Sequence, residues 1–160
     1  RYRGSDLVWR NTSYNGNYVV NLLGGKEFKV GERSIIGIGG KVTAAGGKRY
    51  GLVDIATTNS MKEIIFQDSI FNELQFRDYF RADLKISWRK NADRVTHEFG
   101  LDLVNILGTQ NLLTLAYRPA LTAQDFIDQQ NGTFLPYSEK NQLGFFPIFY
   151  YKIDFRANAK

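Results

Sequence analysis

Charged side chains that alternate with apolar ones are the chemically informative residues of this sequence. Between Tyr79 and Arg89 every second residue is polar or charged, and the residues between them are apolar. In an extended chain this spacing puts the charges on one face, where opposite charges pair across strands or contact a solute. The predicted polar-face residues are Lys41, Arg81, Asp83, Lys85, Arg89, Glu98, Asp102, Lys152 and Asp154.

Other kinds of site chemistry have little support. Cysteine is absent, which excludes thiolate ligands and cysteine nucleophiles. His97 is the one histidine, so a Ser-His-Asp triad would have to use it. Asp125, Asp128 and Glu139 lack the spacing of a calcium loop. We therefore expect no catalysis, no cofactor and no metal site.

Period-two alternation predicts the strands that would carry the polar face. A helix has a period of 3.6 and would scatter the same residues around its circumference. The predicted strands lie near residues 18–30, 36–44, 79–89, 95–103 and 145–155, and residues 5–14 form a weaker candidate that ends at a hairpin signal, Asn15-Gly16.

Short and long connections alternate between these strands. Tight turns are predicted at 31–33 and 91–93, whereas long loops occupy about 46–78 and about 118–142. Outer-membrane barrels have short turns at one end and long loops at the other, and their tilted strands need roughly ten residues to cross the bilayer.

The same alternation fits two classes of β-protein. In a membrane barrel the apolar face contacts lipid, whereas in a soluble barrel or sandwich it covers a core or a lipophilic ligand. Charges of both signs on the polar face favour a water-filled lumen. The apolar face also ends in aromatic residues that resemble interfacial girdles: Phe80, Trp88, Phe145 and Phe155.

Composition narrows the range of partners. The 160 residues carry a net charge of +5, but the 21 basic residues are scattered among 16 acidic ones, so no nucleic-acid partner is expected. No apolar run is long enough to form a transmembrane helix.

Several segments carry a more specific pattern. They are NYVVNLLGGKEF at 17–28, GGKRY at 46–50, DYFRADLKIS at 78–87, FGLDLVN at 99–105 and GFFPIFYYKIDF at 144–155. In this order they resemble the closing strands of TonB-dependent outer-membrane receptors, particularly those of the Bacteroidetes type.

The resemblance implies a fold and a function. Residues 1–160 would be the C-terminal segment of a larger transporter, all-β, with about six antiparallel, up-and-down transmembrane barrel strands and no plug domain. The transporter would lie in the bacterial outer membrane and take up a scarce solute. Its partners would be outer-membrane lipid, TonB through a plug outside this sequence, the barrel assembly machinery and a surface lipoprotein.

The resemblance also assigns a role to one aromatic residue. Phe155 takes the place of the terminal aromatic residue that the assembly machinery recognises, although Arg156 to Lys160 continue past it.

Two alternatives to the transporter are left open. One is a passive outer-membrane channel or a structural component of a surface complex, and the other is the soluble ligand-binding barrel.

Solute contacts are expected on the long loops, because binding residues concentrate on loops that a rigid scaffold holds. Aromatic residues on such loops more often pack the loop onto itself than contact a solute. A short helix capped by Asn59 or Ser60 is predicted in the first loop. The extracellular candidates are Lys48, Arg49, Tyr50, Asp125, Phe126, Phe134 and Tyr137.

Overall fold

The computed structural model describes residues 1–155, which are mostly β-structure. The strands are β1 (Tyr2–Arg3), β2 (Trp9–Arg10), β3 (Val19–Lys29), β4 (Ser34–Ala45), β5 (Arg49–Tyr50), β6 (Leu74–Gln75), β7 (Tyr79–Asn91), β8 (Val95–Val104), β9 (Leu112–Tyr117), β10 (Tyr137–Asn141) and β11 (Phe146–Phe155). The helices are α1 (Ile55–Met61) and α2 (Ala123–Gln130), with a single 3-10 turn at Asp68–Ile70.

The chain divides into two compact units. The sheet unit consists of Val19–Ala44, Phe80–Gln110 and the segment from Leu143 onward. The loop unit consists of Arg1–Tyr18, Ala45–Tyr79 and Asn111–Gln142.

The sheet unit is one antiparallel sheet of five strands in the order β11-β8-β7-β4-β3. All five long strands predicted from the alternation are present. The tight turns that join β3 to β4 and β7 to β8 lie at one end, and the chain leaves for its long connections at the other end. Over residues 1–155 the sheet is open, with β3 and β11 at its edges, and does not close into a barrel.

Strand register gives the sheet an apolar face. Ile86 lies opposite Leu101, and Trp88 lies opposite Phe99 with their rings stacked at 5.6 Å. Phe99 also stacks on Tyr151 of β11, at 4.7 Å between ring centroids. Leu101 is half-buried, and the other side chains named here are exposed rather than sealed in a core. In the described part of the chain, the buried hydrophobic residues are Val53, Ala82 and Phe134.

The loop unit contains three small antiparallel pairs, β1 with β2, β5 with β6, and β9 with β10, together with both helices. The pair β9 and β10 was not predicted. β9 ends just before the predicted second long loop, and β10 lies within the last part of that loop. α2 begins with a capping box, in which Thr122 Oγ1 accepts a hydrogen bond from Asp125 N and the Asp125 carboxylate accepts one from Thr122 N.

The prediction of a strand over residues 5–14 is wrong. β1 and β2 are separated by a turn, in which Leu7 adopts a left-handed backbone with φ of 62° that a strand does not allow. The Asp6 carboxylate accepts a hydrogen bond from Val8 N and pairs with Arg10 at 2.6 Å, so local polar contacts stabilise the turn.

The predicted position of the first helix is also wrong. α1 begins earlier, because the Asp54 carboxylate caps it by accepting a hydrogen bond from Thr57 N at 3.0 Å. The helix ends at Met61, and Lys62 takes a left-handed conformation with φ of 60°. Asn59 and Ser60 therefore lie in its last turn and cap nothing.

Candidate functional site

The polar face of the sheet unit brings the predicted charges together. Positions on β7 and β8 that alternate with the apolar residues carry direct cross-strand pairs. Lys85 Nζ lies 3.4 Å from Asp102 Oδ1, and Arg89 Nε lies 3.5 Å from Glu98 Oε2. Each pair occupies directly opposed positions in the register.

Two residues outside the predicted set extend these pairs into a network across the sheet. Arg89 Nη2 also lies 3.3 Å from Glu27 Oε1 on β3. The Tyr150 hydroxyl on β11 donates to Glu98 Oε1 at 2.8 Å, and Lys85 Nζ lies 4.6 Å from the centre of the Tyr150 ring. The alternation already assigns Glu27 and Tyr150 to the polar side, so this signal was present in the sequence.

The remaining predicted charges pair within strands or stay unpaired. Arg81 pairs with Asp83 at 3.0 Å on β7, and Lys152 pairs with Asp154 at 2.9 Å on β11. Asp83 Oδ1 also accepts a hydrogen bond from the backbone N of Asn105, at 2.9 Å. The two ion pairs stabilise β7 and β11, and the hydrogen bond to Asn105 connects β7 to the end of β8. Lys41 on β4 makes no ion pair within residues 1–155.

A groove of about 440 Å³ follows this face, and Lys41, Lys85 and Asp102 contribute to its lining. Gly25 and Gly39 line it as well, so backbone rather than side chains forms that part of its surface. A Cβ at Gly39 would lie 3.7 Å from its nearest neighbour, which is ordinary contact. The packing of the sheet therefore does not require glycine at position 39. Because Gly39 has no side chain, the groove is open at this point.

The first group of predicted loop residues lies together. Lys48, Arg49 and Tyr50 line a cavity of about 240 Å³ in the loop unit. The Tyr50 ring stacks on Phe76 at 3.9 Å, and Arg49 Nε donates to the backbone oxygen of Asn15 at 2.9 Å. Phe76 was not predicted, because it reaches Tyr50 through the pairing of two very short strands.

The second group of predicted loop residues, at 125–137, is spread over several elements. Two of its members contact other residues that hold them in place. The Asp125 carboxylate accepts hydrogen bonds from the backbone N of Leu121 and of Thr122 and pairs with Arg118 at 2.9 Å. These amides, followed by the Thr122 hydroxyl and Arg118, lower the pKa of Asp125 to about 2. Phe134 is buried, and the Arg118 guanidinium lies 5.0 Å from its ring centre.

Phe126 and Tyr137 differ in exposure. Phe126 is 54% exposed on α2, whereas Tyr137 is half-buried and pairs with Tyr117 at the start of β10. Phe126 is therefore the member of the second group whose ring is most accessible to a solute.

Phe155 and His97 lie on the apolar face. Phe155 lies opposite Val95 at the end of β11 and is exposed, while residues 156–160 lie outside the described residues. His97 Nδ1 is 2.8 Å from the Tyr151 hydroxyl, and the two rings are stacked. This contact gives His97 a partner on the neighbouring strand.

No protein family, curated protein or solved structure matches this chain. Within residues 1–155, no three acidic or histidine side chains come together as metal ligands, and no helix has the length and apolar character needed to cross a membrane.

Proposed function

We propose that the sheet unit is part of the wall of an outer-membrane β-barrel of the TonB-dependent transporter class. The observation that carries the proposal is the contrast between the two faces of the sheet. The apolar face is exposed, with Ile86 at 38% and Phe149 at 77%, whereas the ion pairs of the strands lie on the other face.

Energetics favours lipid as the environment of the apolar face. An exposed aromatic and aliphatic surface of this extent is unfavourable in water at roughly 25 cal/mol per Å². A cation on a lipid-facing position near mid-bilayer costs about 2–4 kcal/mol, and the paired cations Lys85 and Arg89 avoid that cost by pointing the other way.

Strand connectivity supports the same assignment. The turns at 31–33 and 91–93 are short and the other connections are long, which is the arrangement that outer-membrane barrels use for their periplasmic and extracellular ends. The loop unit would then supply the solute contacts, and the polar face would line the path of the solute.

The proposal includes a set of partners. Lipid covers the apolar face, the barrel assembly machinery inserts the strands with Phe155 as its signal, and TonB acts through a plug outside residues 1–160. A surface lipoprotein is a further partner. The proposal assigns transport rather than catalysis.

Labelling of intact cells tests the location and orientation. Cysteine is absent from the chain, so Leu121→Cys, at a position 77% exposed in the loop unit, and Glu32→Cys, in a short turn, each provide one reactive thiol. A membrane-impermeant maleimide should label Leu121→Cys on intact cells and Glu32→Cys only after the outer membrane is opened. Recovery of the protein in the soluble fraction, or labelling of Glu32→Cys on intact cells, would contradict the proposal.

A growth comparison separates an energised transporter from a passive channel. Strains lacking this protein, lacking TonB or lacking both should show the same growth defect on the limiting nutrient that the protein supplies. Loss of the protein should therefore cause no further defect in a strain that already lacks TonB, whereas full uptake without TonB identifies a passive channel.

A further inference from the structure

Aromatic rings dominate the walls of the loop-unit cavity. Tyr14, Tyr50, Phe66, Phe71 and Phe76 line its volume of about 240 Å³. Segments that are distant in sequence supply these rings, and the β5–β6 pair joins two of the segments. The cavity is therefore a product of the fold of the loop unit rather than of one local motif.

Local contacts hold three of these rings in place. Tyr50 and Phe76 are nearly parallel, with an interplanar angle of 6°. At Gly51, an added Cβ would lie 3.0 Å from Phe66 Cβ, so glycine permits the close approach of that ring. Fixed rings present flat apolar surfaces that favour a planar ligand.

The charge of the cavity is positive. Among residues 1–155, its lining includes Lys48 and Arg49 and no carboxylate. Arg49 is occupied, since its nitrogens donate to the backbone oxygens of Asn15 and Glu73 and to Asn17 Oδ1. Lys48 is different, because its Nζ lies 5.2 Å from the Tyr14 ring centre and makes no ion pair within the described residues.

We propose that this cavity binds a small planar aromatic group that carries a carboxylate. The ring would lie against the aromatic walls and the carboxylate would meet Lys48, an arrangement in which both parts of the ligand have a partner. Ser13 also lines the cavity, and its hydroxyl offers a further hydrogen-bond donor, whereas the Thr114 hydroxyl donates to the backbone oxygen of Leu115 at 3.2 Å. Binding here does not depend on the membrane assignment of the sheet unit.

Two probes of the same shape test the charge requirement. Benzoate and benzamide differ chiefly in charge, and calorimetric titration of the purified protein gives an affinity for each. The wild-type protein should bind benzoate roughly tenfold or more tightly than benzamide, because the benzoate carboxylate forms an ionic contact with Lys48 that the neutral amide does not form.

Two lysine variants locate the contact. Lys48→Gln should remove the preference for benzoate over benzamide. Lys62→Gln is the matched control, because Lys62 Nζ lies 5.7 Å from the Tyr117 ring centre in the same unit but does not line the cavity. Tyr50→Leu should weaken both probes, since it removes part of the aromatic wall.

Three results would overturn the proposal: no binding of benzoate, equal binding of benzamide, or an unchanged preference in Lys48→Gln. Circular dichroism of each variant confirms that the fold is retained. Failure of these titrations leaves the labelling of Leu121→Cys and Glu32→Cys unaffected, so the failure of this site and of the transport role are distinguishable.

Discussion

Lys85 and Asp102 face each other directly across β7 and β8, with Nζ and Oδ1 3.4 Å apart, while the adjacent pair Leu84 and Leu103 occupies the reverse face. One register thus sets both the ionic and the apolar side of the sheet. A slip of one residue would exchange the two faces, so the ion pair and the apolar pair specify the same alignment.

The Lys85–Asp102 contact should contribute measurably to stability. A double-mutant cycle of Lys85→Ala and Asp102→Ala is expected to give a coupling free energy of about 0.2–1 kcal/mol, the range for opposite charges on facing strands. Denaturant unfolding in detergent micelles measures it. The cycle of Lys41→Ala with Asp102→Ala is the control, because Lys41 has no ion pair among residues 1–155, and equal coupling in both cycles would contradict the assignment.

A cation on the apolar face should destabilise the protein in lipid. Ile86 lies near the middle of β7, so Ile86→Arg is expected to cost about 2–4 kcal/mol of unfolding free energy in vesicles. Ser87→Arg adds the same side chain one position along, on the polar face, and should cost much less. Equal costs for the two variants would count against lipid on the apolar side.

Gly100 should be required by the polar network, in contrast to Gly39. A Cβ at Gly100 would overlap the Tyr150 ring, so Gly100→Ala displaces that ring and its hydrogen bond to Glu98. We expect Gly100→Ala to lower the free energy of unfolding by about 1–3 kcal/mol, the usual cost of overpacking. Gly39→Ala should be close to neutral in the same unfolding measurement, and a reversed order would refute this explanation.

Acid should weaken the start of α2 through Asp125. Because folding lowers the pKa of this carboxylate to about 2, its stabilising contribution is complete above the ordinary Asp pKa and declines as the pH falls towards the folded value. Hydrogen exchange at the Leu121 and Thr122 amides should accelerate as the pH falls from about 4 to about 2, after correction for intrinsic rates. In Asp125→Asn this acceleration should disappear, and its persistence would show that another group is responsible.

The alternation predicted the long strands because each has one apolar and one polar face. The run from Tyr79 to Arg89 lies entirely within β7, and the charges at 85 and 102 are on the expected side. The alternation did not predict which charged residues pair with each other, since Arg81 pairs with Asp83 on its own strand rather than across the sheet.

The loop unit was harder to predict, because its elements are short and depend on contacts between distant segments. β5 and β6 have two residues each, too few for any periodic signal, yet they bring Tyr50 and Phe76 together. Asp54 caps α1 with the ordinary chemistry of a helix start, but Asn59 and Ser60 carry the same sequence signal five and six residues later. Tertiary pairing decides which of these local signals is used.

The orientation of β7 provides the most direct test of the proposed function. Nitroxide labels on single cysteines at Leu84, Lys85, Ile86 and Ser87 report accessibility to oxygen, which dissolves in lipid, and to a water-soluble nickel complex. With the protein in vesicles, Leu84 and Ile86 should be accessible to oxygen and protected from nickel, with the reverse at Lys85 and Ser87. Protection of Leu84 and Ile86 from both reagents, as in a sealed protein core, would contradict the assignment of this sheet to a membrane barrel wall.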